Sequence, residues 1–447
     1  MQLGIGQCVT ATDKAPPFPR SRVRGAISAL CFLLVTSADL AAETYVVDET
    51  AAPCLRLRDD PSTSATQLDC LAPGTQVTVE RSLPYWREIV TPGQTRGWVA
   101  KKFLRIKDVS PEAPASSNLI PSNAFLEIHF IDVGQGDAIW IHTHDDGIDG
   151  NGRFEGFNIV IDGGPYSADR DNPLLSYLEH IGHHGADIQA LVVSHPHTDH
   201  FRGAETISRH FNVQHYYDAG YPSTLASYSS FMQAMRGSTG QPGRAKHVHL
   251  GFNEFGALDW GAELEVEVLY AWPGAARDLG SGNTEVNNSS IVLRLKYGDH
   301  QFLFMGDAEG KDRDDDPQVP KYVEARLLAS NPTKLKSTVL KIAHHGSETS
   351  STLPFIEAVN PEVVVVQSGR KSFRGTFLPD ASTLNRYCVH NPQIKIFRTD
   401  QGDQEFREER DAVDGDHIVI RSNGRDRITV GTTPDDRAPI AYQCPTR

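Results

Sequence analysis

The sequence is short of positive charge. Its 43 lysines and arginines stand against 57 aspartates and glutamates, a net charge of −14. Such a chain lacks the Lys/Arg surface that holds long nucleic acid through its phosphates, so nucleic acid is a disfavoured partner. Long apolar runs are also missing: the longest stretch, "AISALCFLLVTSA" at 26–38, is too short to span a bilayer. There is no internal repeat and no low-complexity tract. What remains is an ordinary globular composition, 39% hydrophobic and 22% charged, in 447 residues, enough for two or three domains and a sizeable core.

The apolar stretch follows Arg20, Arg22 and Arg24 and precedes the small residues of "ADLAAET". This order predicts an export signal over 1–42, cleaved near Ala42, and a secreted or periplasmic protein with no transmembrane segment. Losing four basic and two acidic residues with the signal takes the charge from −14 to −16. Cysteine is scarce, six in all, and four lie beyond the signal. An even set in an exported chain predicts disulfides. Cys54 and Cys70 flank a Pro-Ser-Thr turn centred on residue 62, so a hairpin sets them opposite each other; Cys388–Cys444 follows by elimination.

Residues 44–106 read as short alternating strands with turn punctuation, a small β-barrel pattern. "LRLRDDPSTSATQLDCLAPGTQVTV" and "GWVAKKFL" resemble the opening and close of a bacterial SH3 domain. That resemblance implies a surface-tethering role through cell-wall peptide. A Pro/Ser-rich linker, 107–123, follows. From 124 to 445 apolar strands such as "LEIHFI", "NIVI", "ALVVS", "QFLFM", "TVLKIA" and "EVVVV" alternate with helical patterns near 173–182, 203–211, 320–330 and 380–390. Near-continuous apolar strands predict an α/β fold, with sheets buried on both faces under outer helices. Trp140, Trp260 and Trp272 read as core, His183 and His184 as the end of a helix, and 144–156 as a polar loop insertion.

"SHPHTDH" (194–200) carries the chemistry. After the strand "ALVV", His195 and His197 can point from a turn into one pocket, and Asp199 and His200 from the next helical turn. Imidazoles and carboxylates suit zinc, manganese or iron, and so dense a cluster suits two metals better than one. Asp307, in "FLFMGDAE", and His344 and His345, in "LKIAHHGS", also end apolar strands.

Together with "IHFIDVGQGDA" (128–138) and "NIVIDGGP" (158–165), these pieces resemble, in order, the metallo-β-lactamase fold superfamily, most closely its ComEC-like metallohydrolase branch. The resemblance implies an αββα sandwich and two divalent ions, zinc first and manganese second. His195 and His197 would hold one ion, Asp199 and His200 the other, with Asp307 bridging and His345 completing the second. Asp199 and His344 are the candidate catalytic residues, His344 being either a ligand or a proton donor. Asp162 would orient the ligand loop from behind, and Asp132 and Asp137 flank a glycine turn whose amides can face the site. Two departures stand out: His197 replaces an aspartate common in ComEC-like domains, and Asn287 and Asn288 stand where the superfamily has a histidine. The first ion is then weakly held, or completed by water or an amide oxygen; Asn288 is the candidate supporting residue.

A divalent ion lowers the pKa of bound water from about 16 to about 7, so the expected activity is a hydrolase using a metal-bound hydroxide. Phosphodiesters or related phosphoric esters are the first substrate class, with Arg370, Lys371, Arg374 and Ser347 as candidate anion contacts. The alternatives are a lactonase or β-lactamase, and a cell-wall-binding protein whose hydrolase domain has lost turnover.

Overall fold

Leu55 and Leu57 are buried while Arg56 between them is exposed, the alternation of a strand with one face on a core. The computed structural model describes residues 44–106 and 124–445, apart from 48–52, 63–64, 83–85, 101–102, 144–155, 181–186, 238–244, 253–254, 256–257, 262, 370, 374, 401–415, 432–438 and 440. The expected signal (1–42), the linker (107–123) and the helix-end histidines His183 and His184 lie outside the described residues, as does nearly all of the polar loop at 144–156. The chain divides into two units, Met1–Asp108 and Val109–Arg447.

In the first unit, strands β1 (Thr44–Val47), β2 (Leu55–Arg58), β3 (Gln67–Leu71), β4 (Gln76–Ser82), β5 (Trp86–Val90), β6 (Arg96–Ala100) and β7 (Leu104–Ile106) form one antiparallel sheet. Their order is β3-β2-β6-β5-β4-β1-β7. Tyr45, Val47, Leu55, Leu57, Leu71, Val77, Ile89 and Val99 supply its small core. Cys54 and Cys70 are bonded across the β2–β3 hairpin, as the turn between them predicts.

The second unit runs β8 (Leu126–Phe130), β9 (Ile139–His142), β10 (Asn158–Ile161), α1 (Pro173–His180), β11 (Asp187–Val193), α2 (Thr198–His210), β12 (Asn212–Asp218), α3 (Ala226–Arg236) and β13 (His247–Leu250). It continues with β14 (Leu264–Tyr270), α4 (Asn283–Asn287), β15 (Val292–Tyr297), β16 (His300–Phe304), α5 (Tyr322–Ser330), β17 (Val339–Lys341), α6 (Leu353–Val359), β18 (Val363–Val366), α7 (Ala381–His390) and β19 (Lys395–Arg398). A final hairpin, β20 (Ile418–Ser422) and β21 (Ile428–Gly431), returns to the first sheet.

Eight strands pair in the order β13-β12-β11-β10-β9-β8-β20-β21, and six in the order β14-β15-β16-β17-β18-β19. One core joins the sheets, with Ile128, Phe130, Ile161 and Val192 from the first and Leu293, Phe302, Phe304 and Val364 from the second. A second core covers the first sheet's outer face, where Trp140, Leu191 and Val213 meet Leu178, Phe201, Ile207 and Phe231 of α1, α2 and α3. Val323, Phe355, Ile356 and Tyr387 of α5, α6 and α7 join the shared core. Every residue of β18 is a buried valine, which explains why its sequence shows no alternation. The architecture is the expected αββα sandwich. Trp140, Trp260 and Trp272 are all buried, and Cys388 is bonded to Cys444.

Strands β10 to β13 are mutually parallel, as are β16 to β19. Parallel strands bring their carboxyl ends to one rim, where loops from different strands can share a site. The close seat of α2 on that rim depends on two glycines. A Cβ on Gly203 would fall 1.7 Å from the Gly163 oxygen, and one on Gly163 2.0 Å from the Ala204 nitrogen.

Candidate metal centre

Each segment of the centre leaves the carboxyl end of a strand. Asp162 follows β10, the 194–200 segment follows β11, Asp307 follows β16, and His344 and His345 follow β17. His197 is the residue before α2, so Asp199 and His200 fall in that helix's first turn. The backbone is strained where the ligand loops turn: Asp162, His344 and His345 have φ of 58°, 49° and 51°, left-handed values that cost a side-chain-bearing residue energy. The His344 amide, bonded to the Gly306 oxygen at 3.0 Å, ties one such turn to the loop bearing Asp307.

One carboxylate oxygen sits among three imidazoles. Asp307 Oδ2 lies 3.6 Å from His195 Nε2, 3.3 Å from His200 Nε2 and 3.4 Å from His345 Nε2. His195 Nε2 is 2.9 Å from His197 Nδ1, and His345 Nε2 is 3.8 Å from Asp199 Oδ2. Among the described residues, four sets of donor atoms lie within 4.8 Å of one another: His195 with His197 and Asp307, Asp199 with His200 and His345, and two that share Asp137, with Asp162 and His200 or with Asp307 and His345; the first two are the expected donor groups. The far ring nitrogens are held from behind. His200 Nδ1 bonds Asp162 Oδ2 at 2.8 Å, His195 Nδ1 meets Ser194 Oγ at 3.0 Å, and His345 Nδ1 bonds the Gln367 carbonyl at 2.9 Å. Asp162 also accepts the Ser194 amide and hydroxyl, both at 2.7 Å.

The electrostatics fit a divalent cation. Burial alone would lower the His200 and His345 pKa values, but Asp307 with Asp162 lifts His200 well above the usual range, and Asp307 with Asp137 lifts His345 to about 9. Burial, reinforced by neighbouring imidazoles, holds His195 well below that range, and burial also lowers His197. Burial would raise Asp307, yet His345, His200 and His195 hold it well below the carboxylate range. The carboxylates thus draw positive charge into a buried place while His195 and His197 stay neutral, ready to coordinate. His200 Nε2, His345 Nε2 and Asp307 Oδ1 are buried without hydrogen-bond partners, the state of groups awaiting an ion.

Around this centre the structure gives roles to the flanking aspartates and brings in Lys341, which sequence patterns pass over. Of the two aspartates flanking the glycine turn, Asp132 accepts the Gly134 amide and bonds His417 through its own, so it shapes the turn. Asp137 reaches inward, with Oδ1 3.2 Å from His345 Nδ1 and Oδ2 accepting the Lys341 ammonium. Lys341 lies in an apolar strand and reads there as a lone interruption. The motif "DVGQGD" was the available signal for Asp137.

Asn287 donates to Glu309 Oε1 at 2.7 Å and lies 3.4 Å from His344 Nε2, leaving its own Oδ1 buried and unbonded. Asn288 accepts the Glu309 amide and donates to the Leu279 carbonyl, holding the Asp307 loop from behind. Burial pushes Glu309 up to about 8 and His344 down to about 4. His344 Nδ1 meets Thr349 Oγ1 at 2.9 Å, and Ser347 Oγ contacts the same hydroxyl at 3.1 Å. Lys371 is exposed, its ammonium 5.3 Å from the Phe373 ring centre; Arg370 and Arg374 lie outside the described residues.

Residues 153–370 match the model of the metallo-β-lactamase superfamily. Residues 153–370 form a metallo-β-lactamase superfamily domain. Its sheets extend past the match on both sides, through β8, β9, β19, β20 and β21. Residues 54–105 match the bacterial SH3 domain. Among curated proteins, YcaI of Escherichia coli is 24% identical over 267 residues, 60% of this chain and 28% of that protein. Competence protein ComA of Neisseria gonorrhoeae is 33% identical over 144 residues, 31% of this chain and 19% of that protein. ComE operon protein 3 of Bacillus subtilis is 25% identical over 295 residues, 62% and 32%. The chain thus spans less than a third of each of these relatives. Similar solved structures include a metal-dependent hydrolase of the β-lactamase superfamily (12% identity, 61% of this chain and 95% of that one, TM-score 0.34). Zn2+-bound PqqB from Methylobacterium extorquens is another (11% identity, 54% and 88%, TM-score 0.31).

Proposed function

We propose that the protein is an exported metal-dependent hydrolase of phosphodiesters or related phosphoric esters. The observation that carries this reading is Asp307 Oδ2, within 3.6 Å of His195, His200 and His345 and so shared by both donor groups. His195, His197 and Asp307 would hold one divalent ion, and Asp199, His200 and His345, with Asp307, a second. Zinc is the first choice for this nitrogen-rich set and manganese the second. When bound, the ions supply Lewis acidity and bring the pKa of water down to about 7.

The chain's own residues do the positioning. Asp162 fixes the tautomer and angle of His200, and Asp137 and the Gln367 carbonyl do the same for His345. Asn287 Oδ1, buried and unbonded, is the candidate amide oxygen for the ion that His195 and His197 would hold. His344 is neutral at pH 7 and, aligned by Thr349, can hold a leaving oxygen by a hydrogen bond. Lys371, Arg370, Arg374 and Ser347 remain the candidate contacts for the substrate anion. The SH3 domain supports cell-wall peptide as a partner, and two disulfides support an extracytoplasmic location. Among the described residues, no helix is long and apolar enough to cross a membrane. Asparagine at position 287 favours a second reading, a wall-binding protein with a weakened centre.

Metal analysis of the purified protein beside His197→Ala and Asp307→Ala tests the centre. About two ions per chain that depend on Asp307 and His197, reduced in both variants, with hydrolysis of bis(p-nitrophenyl) phosphate over nitrocefin, is the expected result. Preference for nitrocefin would move the substrate class to carbonyl compounds. Absence of metal after incubation with zinc and manganese would leave the binding protein, tested by peptidoglycan pull-down with and without residues 44–106.

A further inference from the structure

A second group of histidines lies away from this centre, on the edge of the eight-stranded sheet. His247 and His249 are two apart on β13, so they share a face of that strand. His215 on β12 stands directly opposite His247 in the parallel register. All three side chains therefore project from one face, at an edge where β13 has no further strand beside it among the described residues. His215 is level with Ala190 of β11, four residues before Ser194. At about 3.3 Å per residue this is roughly 13 Å back along the strands from the start of the ligand loop.

Two of the three rings are already gathered. His215 Nδ1 and His249 Nε2 are 3.0 Å apart and share one proton. Two nitrogens on one tetrahedral zinc, each at about 2.0–2.1 Å, stand roughly 3.4 Å apart, so an ion can replace that proton with little movement. The His247 ring stacks on His215, with centroids 4.7 Å apart, and its centroid is 6.5 Å from that of His249. His247 is exposed, so its side chain can rotate toward the pair by giving up its stack on His215.

We propose that His215, His247 and His249 form a separate site for a borderline divalent cation of the zinc class, with three imidazole ligands and a fourth position open to water. Three histidines from two neighbouring strands, two of them at i and i+2, give the convergent nitrogen set that zinc, copper and nickel prefer to calcium or magnesium. The site is independent of the Asp307 centre and shares no residue with it.

The test is the zinc content of the full chain after equilibrium dialysis against zinc, for wild type, His247→Ala, His215→Gln and Asp307→Ala. His247→Ala and His215→Gln should each hold one zinc fewer per chain than wild type, with phosphodiester hydrolysis unchanged. Asp307→Ala should lose zinc from the central site and keep the edge ion, which a further His247→Ala substitution then removes. Failure of the central site would appear as unchanged zinc in Asp307→Ala, and would not alter the effect of His247→Ala. Wild-type zinc content in both histidine variants would overturn the proposal. Since His247 is exposed, loss of folding cannot account for the expected result in His247→Ala, and near-UV circular dichroism checks His215→Gln.

Discussion

Lys341 and Asp137 form an ion pair wholly inside the sandwich, with side chains 1% and 2% exposed. The lysine leaves β17 and the aspartate the turn before β9, so the pair ties the two sheets together beneath His345. Removing one partner of a buried pair strands the other charge. Lys341→Met should therefore cost about 3–5 kcal/mol, read as a lower urea midpoint, whereas the double variant with Asp137→Leu should recover part of the loss. Equal destabilisation by the single and double variants would show that the pair is not coupled.

Asp162 bonds His200 Nδ1 at 2.8 Å while its other contacts hold Ser194. Partners of this kind are worth about 10–100-fold in metal affinity. Asp162→Ala should weaken zinc binding by that factor in a competition titration with a chromophoric chelator. Unchanged affinity would place the orientation of His200 elsewhere.

Asp218 ends β12, buried, and burial raises its pKa from 3.8 to about 6. A raised acid favours the protonated folded state, so its contribution is complete below about pH 4 and is lost as pH rises through 6. The shift of about 2 units corresponds to roughly 3 kcal/mol. Asp218→Asn cannot ionise and should gain on wild type by about that amount between pH 4 and pH 8. Urea denaturation at both pH values gives the comparison; a difference independent of pH would refute it.

The Cys388–Cys444 bond joins α7 to the chain's last residues across a sequence separation of 56. Closing a loop of that length restricts the unfolded chain by about 4 kcal/mol in the chain-entropy model. Replacing both cysteines by alanine should lower stability by an amount of that order while leaving zinc content unchanged. A loss of zinc would instead mean that the α7 anchor shapes the centre.

Much of the fold is legible in the sequence because its strands are uniformly apolar. "VVVV" of β18 and "ALVV" of β11 can be satisfied only in sheets covered on both faces. β12 and β13 escape that reading: "NVQHYYD" and "HVHL" carry histidine and tyrosine at a sheet edge where burial is partial. The histidines at 195, 197, 200 and 345 are legible because each follows an apolar strand at short range. Lys341 is not, nor is its pairing with Asp137, since the two are 204 residues apart and only sheet-on-sheet packing brings them together.

The sequence by itself determined the donor types, their places at strand ends and the two disulfide pairs, for these follow from local pattern and parity. Only the tertiary structure decided that Asp307 is shared among His195, His200 and His345, that Asp162 and Asp137 stand behind His200 and His345, and that three histidines meet on an outer edge. Those are distances between residues far apart in the chain, fixed by how parallel strands align their ends and how two sheets pack.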